Sequence, residues 1–275
     1  MRLGYDAPGM ASIECDLLLF VATSTEFDEL KRAATENGLD WRREASPIGE
    51  FWSIGRLGGY RVAVVRTEMG AIGPTGSTRQ GHFYLAATEA QGIVCLGMAF
   101  GVSREHQPVG TVLVSDSLFP YDVRDVVADP DREGHWVYRY DSEAPSYAPT
   151  TYPAQPELRK RLRRHAATTA MSHPVQFGCL LTGSARIRCL AYRNELLRRC
   201  ANIAPNIVGG EMEGLGLLSL AERDRSHWIV VKGICHFADE QQIGDAKANR
   251  RLACANASRF VLGALQTWNS STPEV

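Results

Sequence analysis

No apolar run in this sequence comes near the roughly 20 residues needed to cross a bilayer. The longest near the amino terminus, Leu17 to Ala22, is broken by Thr23 and Ser24 and reads as a strand, so no membrane partner is expected. The start also lacks the basic and apolar regions of a secretory signal. An excess of one charge is missing too: 30 Lys and Arg face 31 Asp and Glu, a net charge of -1. That argues against a broad electrostatic hold on a nucleic-acid polymer and leaves only a local basic site. There is no CxxC pair, and the seven cysteines make an odd count, several of them in apolar runs. Buried, reduced thiols in a cytoplasmic protein are the expected reading, rather than disulfides.

What is present is ordinary globular composition, 44% hydrophobic and 22% charged over 275 residues. That is enough for one large domain or two small ones, with a sizeable core. Residues 1–12 have no period and read as a loose leader, with one domain expected over 13–270. From there apolar runs alternate with helical patterns. "CDLLLFVAT" reads as a buried strand, followed by the helix "STEFDELKRAATENG", capped by Ser24 or Thr25 and stopped at Gly38. "YRVAVVRTEMG", "IVCLGMAFG", "GTVLVSDSLFPYDV", "VQFGCLLTGS", "NIVGG" and "WIVVKGICHF" read as further strands. Helices are expected from the glycine-rich "AIGPTGS" through Ala90, over "ELRKRLRRHAATTA", "AYRNELLRRCANI" and "EGLGLLSLAERD", and at the end over "NRRLACANASRFVLGALQTW". Residues 128–155, polar and rich in proline and tyrosine, read as an excursion. The strands are continuous apolar runs, so both faces are covered. The fold class is α/β: a single domain with a mostly parallel, mixed central sheet flanked by helices.

In such sheets ligands bind beyond the carboxyl ends of the strands. Glu26, Gly70 to Gly76, Gly97 to Gly101, Gly183 to Arg188, the glutamates of "IVGGEMEGLGLL" and Lys232 to Asp239 all fall there. The two glutamates, Glu211 and Glu213, stand where a buried strand passes into an apolar helix. A buried carboxylate needs a partner or a ligand.

Seven segments in order, "FVATSTEFDEL", "MGAIGPTGS", "CLGMAFGV", "GTVLVSD", "LLTGSARI", "GGEMEG" and "VVKGICHFAD", resemble the nucleoside phosphorylase superfamily, within it the methylthioadenosine/S-adenosylhomocysteine nucleosidase branch. The likeness runs from about Leu17 to Leu265. "GMAFGV", "GGEMEG" and "VKGIC" look closest to phosphorylase-like domains of bacterial signalling and defence systems, some of which split nucleotides such as ATP. The resemblance implies hydrolysis of the N-glycosidic bond of a purine nucleoside or nucleotide, with no metal and no cofactor. It also implies a homo-oligomer, a dimer or hexamer. An oxocarbenium-like transition state needs a nearby anion and a well-held ribose, and a nucleosidase needs a base for water.

The resemblance places Glu26 on the water-activating glutamate; its alternative is a first-turn glutamate favoured by the helix dipole. Glu213 falls on the acceptor of the ribose hydroxyls and Met212 on the methionine against the sugar, where plain core packing is the alternative. Glu211 admits two readings, ribose contact or structural partner. Lys232 replaces an arginine that holds the water; it is left to hold water, phosphate or the Glu26 carboxylate. Gly70, Met98, Ala99, Phe100 and Ile187 fall on substrate-facing positions, with Met98 replacing a serine. Arg186 replaces a phenylalanine over the base, and can stack, meet phosphate or lie on the surface. Arg79, Arg104, Arg124, Arg186 and Arg188 are the candidates for a phosphorylated tail. The glycine segments lack the lysine and spacing of a P-loop.

One departure matters most. Where the family carries an acidic Asp, this chain has His236 in "CHFAD", with Asp239 three residues on. Three readings follow: a working acid, a selector of a different base or protonation state, or a pocket kept for binding without turnover. Phosphorolysis and a nucleotide-binding sensor or partner subunit remain the alternatives to hydrolysis.

Overall fold

The computed structural model describes residues 13–46, 49–88, 90–122, 125–130, 136–141, 150–220, 227–241 and 244–267. The expected leader and Arg124 lie outside them. Strand β1 (Leu17–Val21) is five buried apolar residues. It passes into helix α1 (Ser24–Glu36) through a capping box. The Thr23 hydroxyl accepts from the Glu26 N–H, and the Glu26 carboxylate accepts from the Thr23 N–H. The cap is therefore Thr23, not Ser24 or Thr25.

An antiparallel hairpin follows, β2 (Arg42–Ser46) and β3 (Gly49–Leu57), leading into β4 (Tyr60–Arg66). Helix α2 (Ser77–Ala87) ends earlier than the expected Ala90. Strands β5 (Ile93–Gly101) and β6 (Val112–Pro120) come next. Starting just before the expected excursion, β7 (Asp125–Pro130) and β8 (Trp136–Asp141) form a separate two-stranded sheet. The chain then continues through β9 (Tyr152–Pro153), α3 (Pro156–Thr168), β10 (Val175–Thr182), α4 (Leu190–Cys200) and β11 (Ile207–Glu211). The helix expected after β11 is short, α5 (Gly214–Leu217) running into a 3-10 turn over Leu218–Leu220. Strand β12 (Trp228–His236) and the long α6 (Ala246–Gln266) close the described chain.

The main sheet has ten strands among the described residues, in the order β11-β10-β6-β12-β5-β1-β4-β3-β2, with β9 beside β6. It is mixed: β1 runs parallel to β4 and β5, and β12 parallel to β5 but antiparallel to β6. Gly209 and Gly210 of β11 also pair antiparallel with Gly101 and Phe100 of β5. Strands β5, β12, β6, β10 and β11 therefore close into a ring. Only glycine fits in that closure: a Cβ at Gly209 would meet Leu113 and the Phe100 carbonyl, and one at Gly210 the Phe100 ring.

The main core lies between the sheet and α1 and α6, with Trp228, Phe20 and Phe260 among its largest fully buried side chains. A second apolar cluster, around Phe100, Phe119, Tyr121 and Ile187, lies beside β10 and α4. Among the described residues no helix is long and apolar enough to cross a membrane. All seven cysteines are free, and six are buried.

Candidate active site

A cavity of about 690 Å³ opens where β1, β5, β11 and β12 end. Glu26, Met98, Ala99, Phe100, Arg186, Ile187, Glu211, Met212, Glu213 and His236 all line it, so ten of the twelve expected site residues converge there. The two that do not, Lys232 and Gly70, stand behind the wall and hold it in place.

Glu26 is 3% exposed and receives three backbone N–H groups. Oε2 accepts from Ala22 and Thr23, each at 2.8 Å, and Oε1 from Met98 at 2.9 Å. With two donors Oε2 is saturated, while Oε1 keeps a lone pair. The approach is made possible by Gly97, at φ 148°, because a Cβ there would collide with the Glu26 carboxyl. Burial pushes the Glu26 carboxyl above its ordinary range; Lys232 opposes that and Glu213 adds to it. Those conditions make the carboxylate a stronger base than it is in water.

Glu213 is held from two sides. The Lys232 ammonium donates to Oε2 at 2.7 Å and the Gly70 N–H to Oε1 at 3.0 Å. The Ser77 hydroxyl at the start of α2 fixes the Glu213 carbonyl at 2.6 Å. Each carboxylate oxygen keeps a lone pair, which suits a diol. Lys232 is fully buried and its ammonium also donates to the Leu96 carbonyl at 3.4 Å. It does not line the cavity, and of the readings open to this lysine the one with a contact to show is the carboxylate partner, here Glu213. Its hydrogen-bonded partner is Glu213, and its charge also acts on Glu26 and Glu211. Burial alone would push its ammonium down, but the carboxylates of Glu213, Glu26 and Glu211 more than reverse that and hold it well above the ordinary value. Cys95 is close as well, but burial pushes its thiol up and keeps it neutral. Gly70, expected at a substrate-facing position, has its N–H on Glu213.

The Glu211 Oε2 accepts the N–H groups of Glu213 and Gly214 at 3.0 and 2.8 Å, turning the chain out of β11 into α5. Its second role, as structural partner, is the one with contacts to show. Burial pushes its carboxyl up as well, against the pull of Lys232, 4.0 Å away. Three carboxylates thus share one buried ammonium, leaving this end of the cavity anionic or partly protonated.

The opposite end is different. The His236 Nδ1 accepts the Ala238 N–H at 3.0 Å, with Ala238 held at φ 53°. An acceptor at Nδ1 places the ring proton on Nε2 and makes the imidazole neutral. Burial pushes its pKa down, the nearby Arg186 and Arg188 push it further, and Asp239 opposes them. Asp239 is no free acid either. The Arg104 guanidinium grips it at 2.6 and 2.8 Å, and Arg193 stands 4.0 Å away. That clamp uses up Arg104, which also lies over the Phe237 ring, and Arg79 sits over Phe83 outside the cavity. Neither remains a candidate for a phosphorylated tail. Arg186 and Arg188 do line the cavity, joined by Arg250 from the first turns of α6, which sequence reasoning missed. Cys235 lines it too, but burial pushes its thiol up to about 12, which leaves it unreactive at neutral pH.

The sequence pattern of the phosphorylase superfamily matches residues 16–266. A death domain-containing ATP nucleosidase from Amphimedon queenslandica is 22% identical over 256 residues, 89% of this chain and 47% of that protein. The chain thus spans about half the length of that curated relative. Among solved structures, the 5'-methylthioadenosine/S-adenosylhomocysteine nucleosidase of Neisseria meningitidis with methylthio-immucillin-A superposes with a TM-score of 0.67. It is 16% identical, with 92% of this chain and 99% of that one covered. The futalosine hydrolase of Helicobacter pylori gives 0.68 at 14% identity, over 90% and 96%. The fold, the order of its elements and the match across nearly all of the described residues lead to one conclusion: the chain belongs to the phosphorylase superfamily.

Proposed function

We propose that this protein hydrolyses the N-glycosidic bond of a purine nucleoside or nucleotide and releases the free base. The observation that carries the reading is the pairing of Glu26 and Glu213 on one cavity with different partners: backbone N–H groups for the first, a buried ammonium for the second. Glu213 accepts the ribose hydroxyls through its two spare lone pairs. Glu26 takes a proton from water at Oε1. As the C1'–N9 bond lengthens, its electron pair passes to the base, and the carboxylates stabilise the cationic sugar. Met212, half-buried beside Glu213, packs against the sugar.

Water, not phosphate, is the nucleophile in this reading. The cation at this end, Lys232, is sealed behind Glu213, and a phosphate dianion would meet Glu26 and Glu213 instead. The names of the similar proteins, an ATP nucleosidase and two nucleoside hydrolases, support the same chemistry. A cytoplasmic setting fits the six buried free thiols. A homo-oligomer fits the exposed Met69 at the cavity and the exposed Ile72 three residues on. The test is chromatography of reactions with adenosine, inosine, methylthioadenosine, AMP and ATP, with and without phosphate. Free base plus unphosphorylated sugar at C1', at a rate indifferent to phosphate, is expected; a rate that requires phosphate overturns hydrolysis.

A further inference from the structure

The base end of the cavity presents donors. The His236 Nδ1 is occupied by the Ala238 N–H at 3.0 Å, so only Nε2–H is left to meet a ligand. Arg186, Arg188 and Arg250 line the cavity with exposed side chains, the first two near enough to His236 to act on its charge, and are in no ion pair with a described residue. The carboxylates nearby are committed. Asp239 is clamped by Arg104, and Glu240 accepts the Leu190 N–H at 3.1 Å. Phe100 flanks His236, ring centroids 6.4 Å apart, and brings no charge. Glu26, Glu211 and Glu213 belong to the opposite, sugar end.

We infer that this end holds the leaving base through hydrogen-bond donors and cations rather than by protonating it, and therefore selects 6-oxopurines over 6-aminopurines. The inference rests on the hydrolytic reading for its chemistry, but its recognition half stands alone. The edge of a 6-oxopurine offers two neighbouring acceptors, N7 and O6; that of a 6-aminopurine offers an acceptor and a donor. Nε2–H suits N7 in both, but a guanidinium suits only the oxygen. In the reaction, the C1'–N9 electron pair leaves on the base, which departs as an anion spread over N9, N7 and O6. The water oxygen bonds to C1', its proton goes to Glu26, and the base takes up a proton on release. No group at the base end gives up a proton in the step. Burial and the arginines disfavour the imidazolium, in agreement with this role.

The test pairs binding with turnover. Equilibrium binding of hypoxanthine and adenine to the whole protein should favour hypoxanthine by roughly tenfold or more. The preference should collapse in the triple variant Arg186→Gln, Arg188→Gln, Arg250→Gln, and turn toward adenine in His236→Asp, which restores an acceptor. Adenine bound as well as hypoxanthine by the native protein overturns the inference, whatever the turnover. A hypoxanthine preference without cleavage of inosine or its 5'-phosphates sustains the inference on recognition and overturns hydrolysis instead. Where cleavage occurs, kcat on inosine should not fall as pH rises from 6.5 to 8.5. A fall across that range, absent in His236→Gln, assigns a proton to His236 and overturns the leaving-group half.

Discussion

The Lys232 ammonium and the Glu213 carboxylate meet at 2.7 Å with the lysine wholly buried and the glutamate at the cavity wall. Neither charge is tolerable there without the other. Lys232→Met should therefore act on stability before it acts on catalysis. Denaturant unfolding should show a loss of about 3–5 kcal/mol, the cost of a buried charge left unpaired. A double variant, Lys232→Met with Glu213→Gln, should recover much of that loss without recovering turnover. A Lys232→Met protein as stable as the native one would remove the pair from the scaffold.

Gly97 places Glu26. A methyl group there would collide with the carboxyl, and its φ of 148° is unfavourable for any side chain. Gly97→Ala should lower kcat on the order of 100-fold or more, the scale of losing a general base. Circular dichroism should remain close to native. Unimpaired turnover in a folded Gly97→Ala protein would mean that the position of Glu26 does not limit the reaction.

The raised carboxyl of Glu26 has two pH signatures. As a base it works ionised, so kcat should climb with pH through a value above the ordinary glutamate range and then level off, and Glu26→Gln should be inert at every pH. The stability effect has the opposite direction. A carboxyl whose folded pKa is raised stabilises the fold below its unfolded value and loses that contribution as pH rises through the folded one. The Tm difference between Glu26→Gln and native protein should therefore grow in favour of the variant from pH 4.5 upward. A difference flat with pH would show Glu26 to be unshifted.

Glu213→Ala should raise KM and lower kcat together, since the ribose is held in both ground and transition states. A 2',3'-dideoxy substrate should lose little more in this variant. Losses that simply add would place the diol elsewhere.

Asp239 should prove structural. Arg104 is clamped to it and Arg193 stands beside it, so Asp239→Asn should lower Tm while leaving the shape of the pH–rate profile unchanged. An alkaline fall in the native profile that this variant abolishes would identify Asp239 as an acid.

The contributors to the site could be read from the sequence because they sit at strand ends in a recognisable order. Glu26, Glu213 and His236 needed only that. The roles of Lys232 and Gly70 could not be read, because whether an ammonium faces a ligand or backs a carboxylate depends on how β11 lies against β12. Arg250 was hidden on a helix whose polar face looked solvated. The hairpin of β2 and β3 escaped because "RREAS" is exposed at the sheet edge and carries no apolar period. The truncation of α5 was also invisible: its apolar run suits a helix, and only the packing against α2 at Gly216 reveals how little room it has. The neutrality of His236 came from one backbone N–H two residues away, a contact no spacing rule encodes.

The pairing of Gly209 and Gly210 with Gly101 and Phe100 joins residues more than a hundred positions apart. It is a slow contact to find, because the loop it closes is long. Lys232 reaches Glu213 and Glu211 only when β11 is in place beside that contact, so a folding intermediate lacking it would bury the lysine without its hydrogen-bonded carboxylate. Such a species is unfavourable, which makes assembly of the ring and of the site a single cooperative event. Amide hydrogen exchange in β11 should accordingly require an opening that releases the Lys232–Glu213 pair as well, and Lys232→Met should lower protection there first.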